Sequence, residues 1–560
     1  MTHLRQTLVV AGNGMVGHRF VQAAIERGLT ERFDIVVVGE EPRPAYDRVA
    51  LTSFFSAAGA DELSLLPDGA YDDPRVRLLL GTTVSQVDRT DRRVALDNGE
   101  MLAYDVLVLA TGAAPFVPPV PGHDLDGCFV YRTIEDLEAI RDAAVTATSG
   151  AVIGGGLLGL EAANALVQLG LETHVVEMAP RLMPVQLDEA GGTTLVRHIE
   201  KLGVHVHTGA ATRRVVEANG RAAGLELGEE TVDAQVVVFS AGIRPRDQLA
   251  RDCGLLVAER GGVLVDEQCR TEDPHVFAIG ECAAPGGTMY GLVAPGYSMA
   301  EVVVDTLLDG EGAFTGADMS TKLKLLGVDV ASYGDAFATT PGALELVLAD
   351  AVAGVYKKLV ISEDGTRLLG GILVGDASAY GTLRPMVSSG IALPENPEEL
   401  ILPVASARSG APAVGMPDEA VVCSCNNVDK ATICAAVDAG SCDTVACLKK
   451  CTRAGSTCGS CVPVVKSLLD ERLAVSGVAV ATGICEHFDL SRQELFDVIA
   501  VHGYRTFDDI VTAHGRGRGC DVCKPAVASI LASQLNGHVL DKSTVALQDT
   551  NDAYLANIQR

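Results

Sequence analysis

Basic residues are scarce in this chain. Its 560 residues hold 44 Lys and Arg against 73 Asp and Glu, a net charge of −29. Nucleic acid and anionic lipid both demand basic surface, so neither is expected as a partner. No basic stretch followed by an apolar run opens the chain, so no signal peptide is expected. Residues 150–171 form the longest apolar run, but Gly154, Gly155, Gly156, Gly159 and Glu161 interrupt it, which argues against a membrane span. The expected location is the cytoplasm. There, grouped cysteines indicate metal binding or redox chemistry rather than structural disulfides. Eleven of the 15 cysteines lie after residue 420, so thiol chemistry belongs to the last quarter.

At about 100–200 residues per domain, this length predicts three to five domains. The segment "TLVVAGNGMVGHRFVQAAIERG" (7–28) has the pattern of a strand, a tight turn and a helix. Gly12, Gly14 and Gly17 match GxGxxG: the first allows the turn, the second admits a pyrophosphate to the backbone, and the third lets helix pack on strand. A second strand, "FDIVVVGE", ends in Glu40, a suitable acceptor for ribose hydroxyls. The pattern recurs with Gly154, Gly156 and Gly159, and "ETHVVE" ends in Glu177. A carboxylate repels a 2′-phosphate, so Glu177 favours NADH over NADPH, although Arg181 lies nearby in sequence.

Two further apolar strands end in Thr111 and Gly112 ("VLVLATG") and in Gly280 and Glu281 ("VFAIGE"). On these motifs the first half resembles the flavoprotein reductases with two dinucleotide-binding domains. The resemblance implies that the first fold binds FAD and the inserted second fold binds the nicotinamide. It places Glu281 on the flavin's ribityl chain or phosphate, Arg48 near the flavin, and Glu161 near the nicotinamide ring. Disulfide reductases of this group carry a redox cysteine in the stretch corresponding to 43–55. The first cysteine here is Cys128, so electrons are expected to leave reduced flavin for another acceptor.

Residues 319–405 have short apolar strands between Gly and Asp turns, and "YKKL" within them has the pattern of a solvated strand edge. Residues 406–420 are rich in Pro, Gly and Ala, as in a linker. Then come Cys423-x-Cys425 and Cys458-x2-Cys461. Four thiolates suit a [2Fe–2S] cluster or structural zinc, and the one-residue gap is unusual for zinc. Shifted by 62 positions, these fall on Cys485, His487, Cys520 and Cys523, with Gly455 on Gly517 and Pro463 on Pro525. This second copy either binds a metal through Cys3His or keeps only the fold. Cys434, Cys442, Cys447 and Cys451 have no thiol counterparts in it and are expected to be packing residues.

The C-x-C…C-x2-C spacing resembles the bacterioferritin-associated-ferredoxin-like fold, which carries [2Fe–2S]. With "PAYDRVALT", "MYGLVAPGY", "GICEHFDLSRQELF" and "LQDTNDAYLANIQR", the chain resembles the large subunit of bacterial NADH-dependent assimilatory nitrite reductases from about residue 5 to its end. The electron-transfer subunit of assimilatory nitrate reductase is the nearest competing resemblance, and an iron or redox sensor is the non-enzyme alternative. The nitrite reductase family continues into a half with sirohaem and [4Fe–4S], which is expected to lie outside this sequence.

The expected fold class is α/β, with two nested Rossmann-like domains, a small α/β domain and two small helical Fe–S-type domains. The expected bounds are 1–120 with 240–318 for FAD, 121–239 for NAD, 319–405 for the small domain, 418–475 and 480–538 for the repeats, and 539–560 for a tail. The expected acceptor is a sirohaem domain or the nitrite reductase small subunit, and a homodimer is left open.

Overall fold

Apolar residues fill both faces of the strands Gln6–Ala11 and Phe33–Gly39, and such strands suit a parallel sheet covered on each side. Leu8 sits opposite Ile35 on one side and Val106 on the other. The sheet has five parallel strands in the order Val276–Ala278, Val106–Leu109, Gln6–Ala11, Phe33–Gly39 and Val76–Leu80. The helix Met15–Glu26 follows the first strand and packs against the helix Val293–Leu307.

The computed structural model describes residues 5–402 apart from 56–58, 67–70 and 72; residues 416–475 apart from 457, 458 and 460; and residues 485–534 apart from 486, 489, 491, 521 and 522. Most of the expected linker and the tail 539–560 lie outside the described residues. The contacts divide the chain into two compact units, Met1–Leu468 and Leu469–Arg560.

A second parallel sheet of the first unit repeats the design. Its order is His205–Thr208, Glu172–Glu177, Ser149–Ile153, Val236–Phe239 and Cys128–Val130. The chain enters and leaves it through Ala113–Pro115 and Ile243–Pro245, which pair antiparallel with each other. A third sheet has five antiparallel strands, in the order Thr321–Leu325, Val328–Gly334, Leu368–Val374, Val355–Ile361 and Leu344–Asp350, with the helix Tyr380–Ser389 packed on it.

The third sheet corrects the expectation of a solvated edge at "YKKL". The strand Val355–Ile361 has neighbours on both sides, and each of Lys357 and Lys358 is only 4% exposed. A buried ammonium must be paired. Lys357 Nζ lies 2.6 Å from Asp376, and Lys358 Nζ lies 2.8 Å from Asp188 and 2.9 Å from Glu345. Asp188 caps the helix Glu189–Lys201 that flanks the second sheet, so Lys358 ties the third sheet to the second. Burial lowers the Lys358 pKa, but the Asp188 and Glu345 carboxylates outweigh it and the net shift is upward.

The first cysteine repeat begins with the short pair Val421–Cys423 and Val428–Asp429, followed by the helices Lys430–Asp438, Val445–Thr452 and Val462–Val475. Arg453 Nη2 reaches both oxygens of Glu26, at 2.6 and 2.7 Å, at the end of the helix Met15–Glu26. In the second unit, the helices Arg492–His502, Phe507–His514 and Cys523–Gln534 enclose Phe488, Leu495, Ile499, Phe507, Ile510 and Val527.

Replacing Lys358 with Ala should cost about 2–4 kcal/mol, because it leaves two carboxylates without their shared cation. Urea unfolding of the variant checks this, and an unchanged midpoint would show that the pair contributes nothing.

Candidate cofactor and metal sites

Gly12 and Gly154 hold φ values of +122° and +119°, a region open to glycine. A Cβ on Gly12 would strike the Ala110 carbonyl, and one on Gly154 would strike that of Ser240. A Cβ on Gly17 or Gly159 would strike the carbonyl of Gly12 or Gly154 respectively. Each helix therefore starts hard against its own strand. Gly14 and Gly156 differ, since a Cβ there would meet nothing within 4 Å. Both are helix N-caps with no side-chain cap, and neither helix has an acid in its first turn. Their N–H groups and the positive end of the helix dipole stay available to an anion. Asn13 Nδ2 is buried with no hydrogen-bond partner among the described residues. An open cradle with unpaired donors fits the pyrophosphate of a dinucleotide.

The acids that follow the second strands differ in their partners. Glu40 pairs with Arg246, and about half of each side chain is exposed. The Thr111 hydroxyl donates to the Arg246 carbonyl at 2.6 Å, and the Arg246 N–H donates to the Gly112 carbonyl at 2.9 Å. Glu40, Thr111 and Gly112 thus meet through Arg246, which no motif marked in the sequence. Glu177 accepts the N–H groups of Gly155 and Ala179, each at 2.7 Å, which fixes its carboxylate beside the second Gly loop. Arg181 instead donates to the carbonyls of Leu187 and Pro184, at 2.7 and 3.3 Å.

Glu281 follows Gly280 in a short turn and accepts from Arg132 Nη2 at 2.5 Å. The Arg132 carbonyl accepts from Arg48 Nη1 at 2.9 Å. Arg48 also pairs with Glu41 and stacks over the Tyr46 ring, 4.9 Å from its centre. Arg48 and Glu281 therefore share a network, joined by Arg132. Sequence reasoning missed Arg132 and Arg246 because both sit in loops that come close only after the strands pair.

Glu161 lies on the helix Leu157–Gln168, with Oε2 buried and without a partner among the described residues. Burial first, and the charge of Asp47 second, push its carboxyl up to about 7. Asp47 belongs to the stretch 43–55, which has no thiol. Glu161 thus holds or releases a proton near neutral pH.

In the first repeat, the Cys423 thiol is buried and is brought down to about 6. The largest cause is a hydrogen bond with Cys461, which outweighs burial, and the N–H groups of Gly455 and Asn426 add to it. The Asn426 amide also reaches Cys423 Sγ, at 3.7 Å. Burial is the main cause that raises the Tyr297 hydroxyl on the helix Val293–Leu307, with smaller contributions from Asp47 and Cys425. Cys458 lies outside the described residues. In the second repeat, the ligand atoms of Cys485, His487, Cys520 and Cys523 all lie within 4.8 Å of one another. The Cys520 and Cys523 sulfurs are 3.8 Å apart, close to the roughly 3.8 Å between thiolates that share a tetrahedral zinc.

The reading of Cys442, Cys447 and Cys451 as packing residues needs correction. Their three sulfurs also lie within 4.8 Å of one another, and Cys442 and Cys447 form a disulfide. The spacing of Cys447 and Cys451, one helical turn apart, was the available signal. Cys434 is buried.

Two parallel dinucleotide folds, one inserted in the other, together with a thiolate repeat, define a pyridine-nucleotide-linked flavoprotein reductase with an iron–sulfur domain. The family described as pyridine nucleotide-disulphide oxidoreductase matches residues 6–302. The rubredoxin NAD+ reductase C-terminal domain matches 320–391, and the BFD-like [2Fe–2S] binding domain matches 421–471. The chain belongs to the pyridine nucleotide-disulphide oxidoreductases.

It is 50% identical over 558 residues to the nitrite reductase (NADH) large subunit of Escherichia coli (strain K12), covering 99% of this chain and 66% of that protein. It is 32% identical over 547 residues to the assimilatory nitrate reductase electron transfer subunit of Bacillus subtilis (strain 168), covering 96% and 69%. The ferredoxin reductase for the CYP199A2 system from Rhodopseudomonas palustris superposes with a TM-score of 0.62 at 25% identity, covering 71% of this chain and 97% of that one. The chain thus spans slightly less than two thirds of the E. coli subunit's length. Among the described residues, no helix is long and apolar enough to cross a membrane.

A carboxyl whose folded pKa is raised from about 4.5 to about 7 costs nothing while protonated in both states. The cost appears as pH rises above the unfolded pKa and is complete above the folded one. Replacing Glu161 with Gln should therefore stabilise the protein by about 3 kcal/mol at pH 8 and leave it unchanged at pH 4. Melting temperatures at the two pH values check this, and an equal shift at both would sink it.

Proposed function

We propose that this chain is the electron-input part of a nitrite reductase, taking electrons from NADH and passing them through FAD to a [2Fe–2S] cluster. The observation that carries the reading is the seating of the first cysteine repeat on the first dinucleotide fold. Arg453 clasps Glu26 at the end of the helix Met15–Glu26, which follows the first Gly motif. A cluster held there is next to the flavin fold that would feed it. The flavin supplies the hydride chemistry and the exchange of two electrons for single ones.

The residues of the chain bind and orient. Gly12, Gly14, Gly17, Glu40, Thr111, Gly112, Gly280 and Glu281 hold FAD, with Arg48 beside it. Gly154, Gly156, Gly159 and Glu177 hold the nicotinamide dinucleotide. Glu161 takes a positioning role at the nicotinamide side, where its burial also excludes water. Cys423, Cys425, Cys458 and Cys461 hold the cluster, and Cys485, His487, Cys520 and Cys523 hold a second metal. The domain bounds given above and a cytoplasmic location belong to the same reading, which leaves a homodimer open. The acceptor we infer is a sirohaem-bearing segment or the nitrite reductase small subunit. The greater identity to the E. coli nitrite reductase subunit favours this reading over the nitrate reductase one.

The purified chain, reconstituted with FAD, should reduce ferricyanide with NADH. Replacing Cys461 with Ala should abolish the [2Fe–2S] EPR signal and leave ferricyanide turnover within about twofold, since that acceptor draws from flavin directly. Loss of both would refute the order of the electron path. Iron-dependent binding of a partner with no NADH turnover would support the sensor reading instead. Separately, Glu177→Ala should lower the NADH-to-NADPH ratio of kcat/KM about tenfold, the size of one hydrogen bond to a charged group. An unchanged ratio would mean that Glu177 does not meet the ribose.

A further inference from the structure

The structure assigns a thiol–disulfide exchange site to Cys442, Cys447 and Cys451, separate from the cysteines of the proposed cluster, and its substrates are dithiols and disulfides. Cys442 is the buried, shared sulfur. It is bonded to Cys447, with the two Cα atoms 5.3 Å apart, and its Sγ lies 2.8 Å from Cys451 Sγ. Cys451 is exposed, which gives an external thiol its point of entry. With Cys442 and Cys447 bonded to each other, Cys451 alone of the three is a free thiol, too few ligands to hold a metal ion, so the arrangement favours sulfur-to-sulfur chemistry.

The second repeat acts as an internal control. At the equivalent positions, 62 residues on, it carries Tyr504, Asp509 and Ala513. It still forms the same helix with the same cap. Thr444 accepts the N–H of Cys447 at the start of Val445–Thr452, and Thr506 accepts that of Asp509 at the start of Phe507–His514. The fold therefore does not require the three sulfurs.

The exchange balances within the chain. The Cys451 thiolate attacks Cys442 Sγ, a Cys442–Cys451 bond forms, and the Cys442–Cys447 bond breaks. Cys447 leaves with the electron pair as a thiolate. It sits in the first turn of its helix, which has no acid there, so the helix dipole favours the leaving anion. No net electron moves in this step. An external dithiol then attacks the exposed Cys451 sulfur, and its second thiol resolves the mixed disulfide. The dithiol is oxidised to a disulfide, and Cys442 and Cys451 receive its two electrons and two protons. An external disulfide reverses the step.

The site lies close to the cluster end of the repeat. Two residues after Cys451, the Arg453 carbonyl accepts from Asn426 Nδ2 at 2.9 Å, and that same amide reaches Cys423 Sγ.

The test uses the full chain loaded with FAD and cluster. It is equilibrated with dithiothreitol or with 2-hydroxyethyl disulfide, alkylated, cut with trypsin and mapped by mass spectrometry. Cleavage after Lys449 and Lys450 separates Cys451 from the peptide that holds Cys434, Cys442 and Cys447. The disulfide-treated protein should show both a Cys442–Cys447 loop and a Cys442–Cys451 cross-link, and dithiothreitol should convert both to alkylated thiols. Cys447→Ser should leave only the cross-link. Cys451→Ser should leave only the loop and slow its reduction at least tenfold. The [2Fe–2S] EPR signal reports whether the repeat has folded in each variant, and wild-type mapping decides the matter if it has not. The proposal is overturned if the three cysteines stay alkylatable after disulfide treatment. Reduction of the loop at equal rates in wild type and Cys451→Ser would overturn it too, as would a stoichiometric metal lost with Cys451.

Discussion

Each dinucleotide fold depends on a contact that contains no side chain. The first glycine of each motif turns under a carbonyl of the neighbouring strand, and the third lies on the carbonyl of the first. A single Cβ at any of these four places would push helix and strand apart. Because none is present, both helices begin at the strand ends with their N–H groups facing open space. Everything attributed to a bound dinucleotide follows from that placement: the anion cradle and the acid at the end of the next strand.

Charge is used differently around the two cradles. Around the first, cations and acids neutralise one another: Arg246 with Glu40, Arg132 with Glu281, Arg48 with Glu41. The first two pairs hold loops that lie far apart in sequence. Around the second, backbone N–H groups fix Glu177, and Glu161 has an oxygen with no partner among the described residues. A buried, unpaired carboxyl is costly, and such groups concentrate where chemistry needs them.

The duplicated tail separates what the helical fold needs from what its thiols do. Both copies keep a threonine-capped helix, and the second gathers Cys3His into one small space. Of the four sulfurs that occur only in the first copy, Cys442, Cys447 and Cys451 have collected into a group of their own, while Cys434 is buried.

The sequence by itself determined the two Gly motifs, the strands that precede them, the acids that follow and the repeat at a shift of 62. These are local patterns, since the period of a buried strand, a glycine turn and a Cys-x-Cys spacing all act within a few residues of chain. Only the tertiary structure decided which distant groups meet. Lys357 and Lys358 looked like an edge because a sequence does not say how many neighbours a strand has, and pairing on both sides buried them. Arg246 and Arg132 carry no motif and reach Glu40 and Glu281 only through the return of the chain to the first sheet. Cys442 reaches Cys451 because a turn brings the residue before the helix back against its last turn, a closure that spacing alone does not specify.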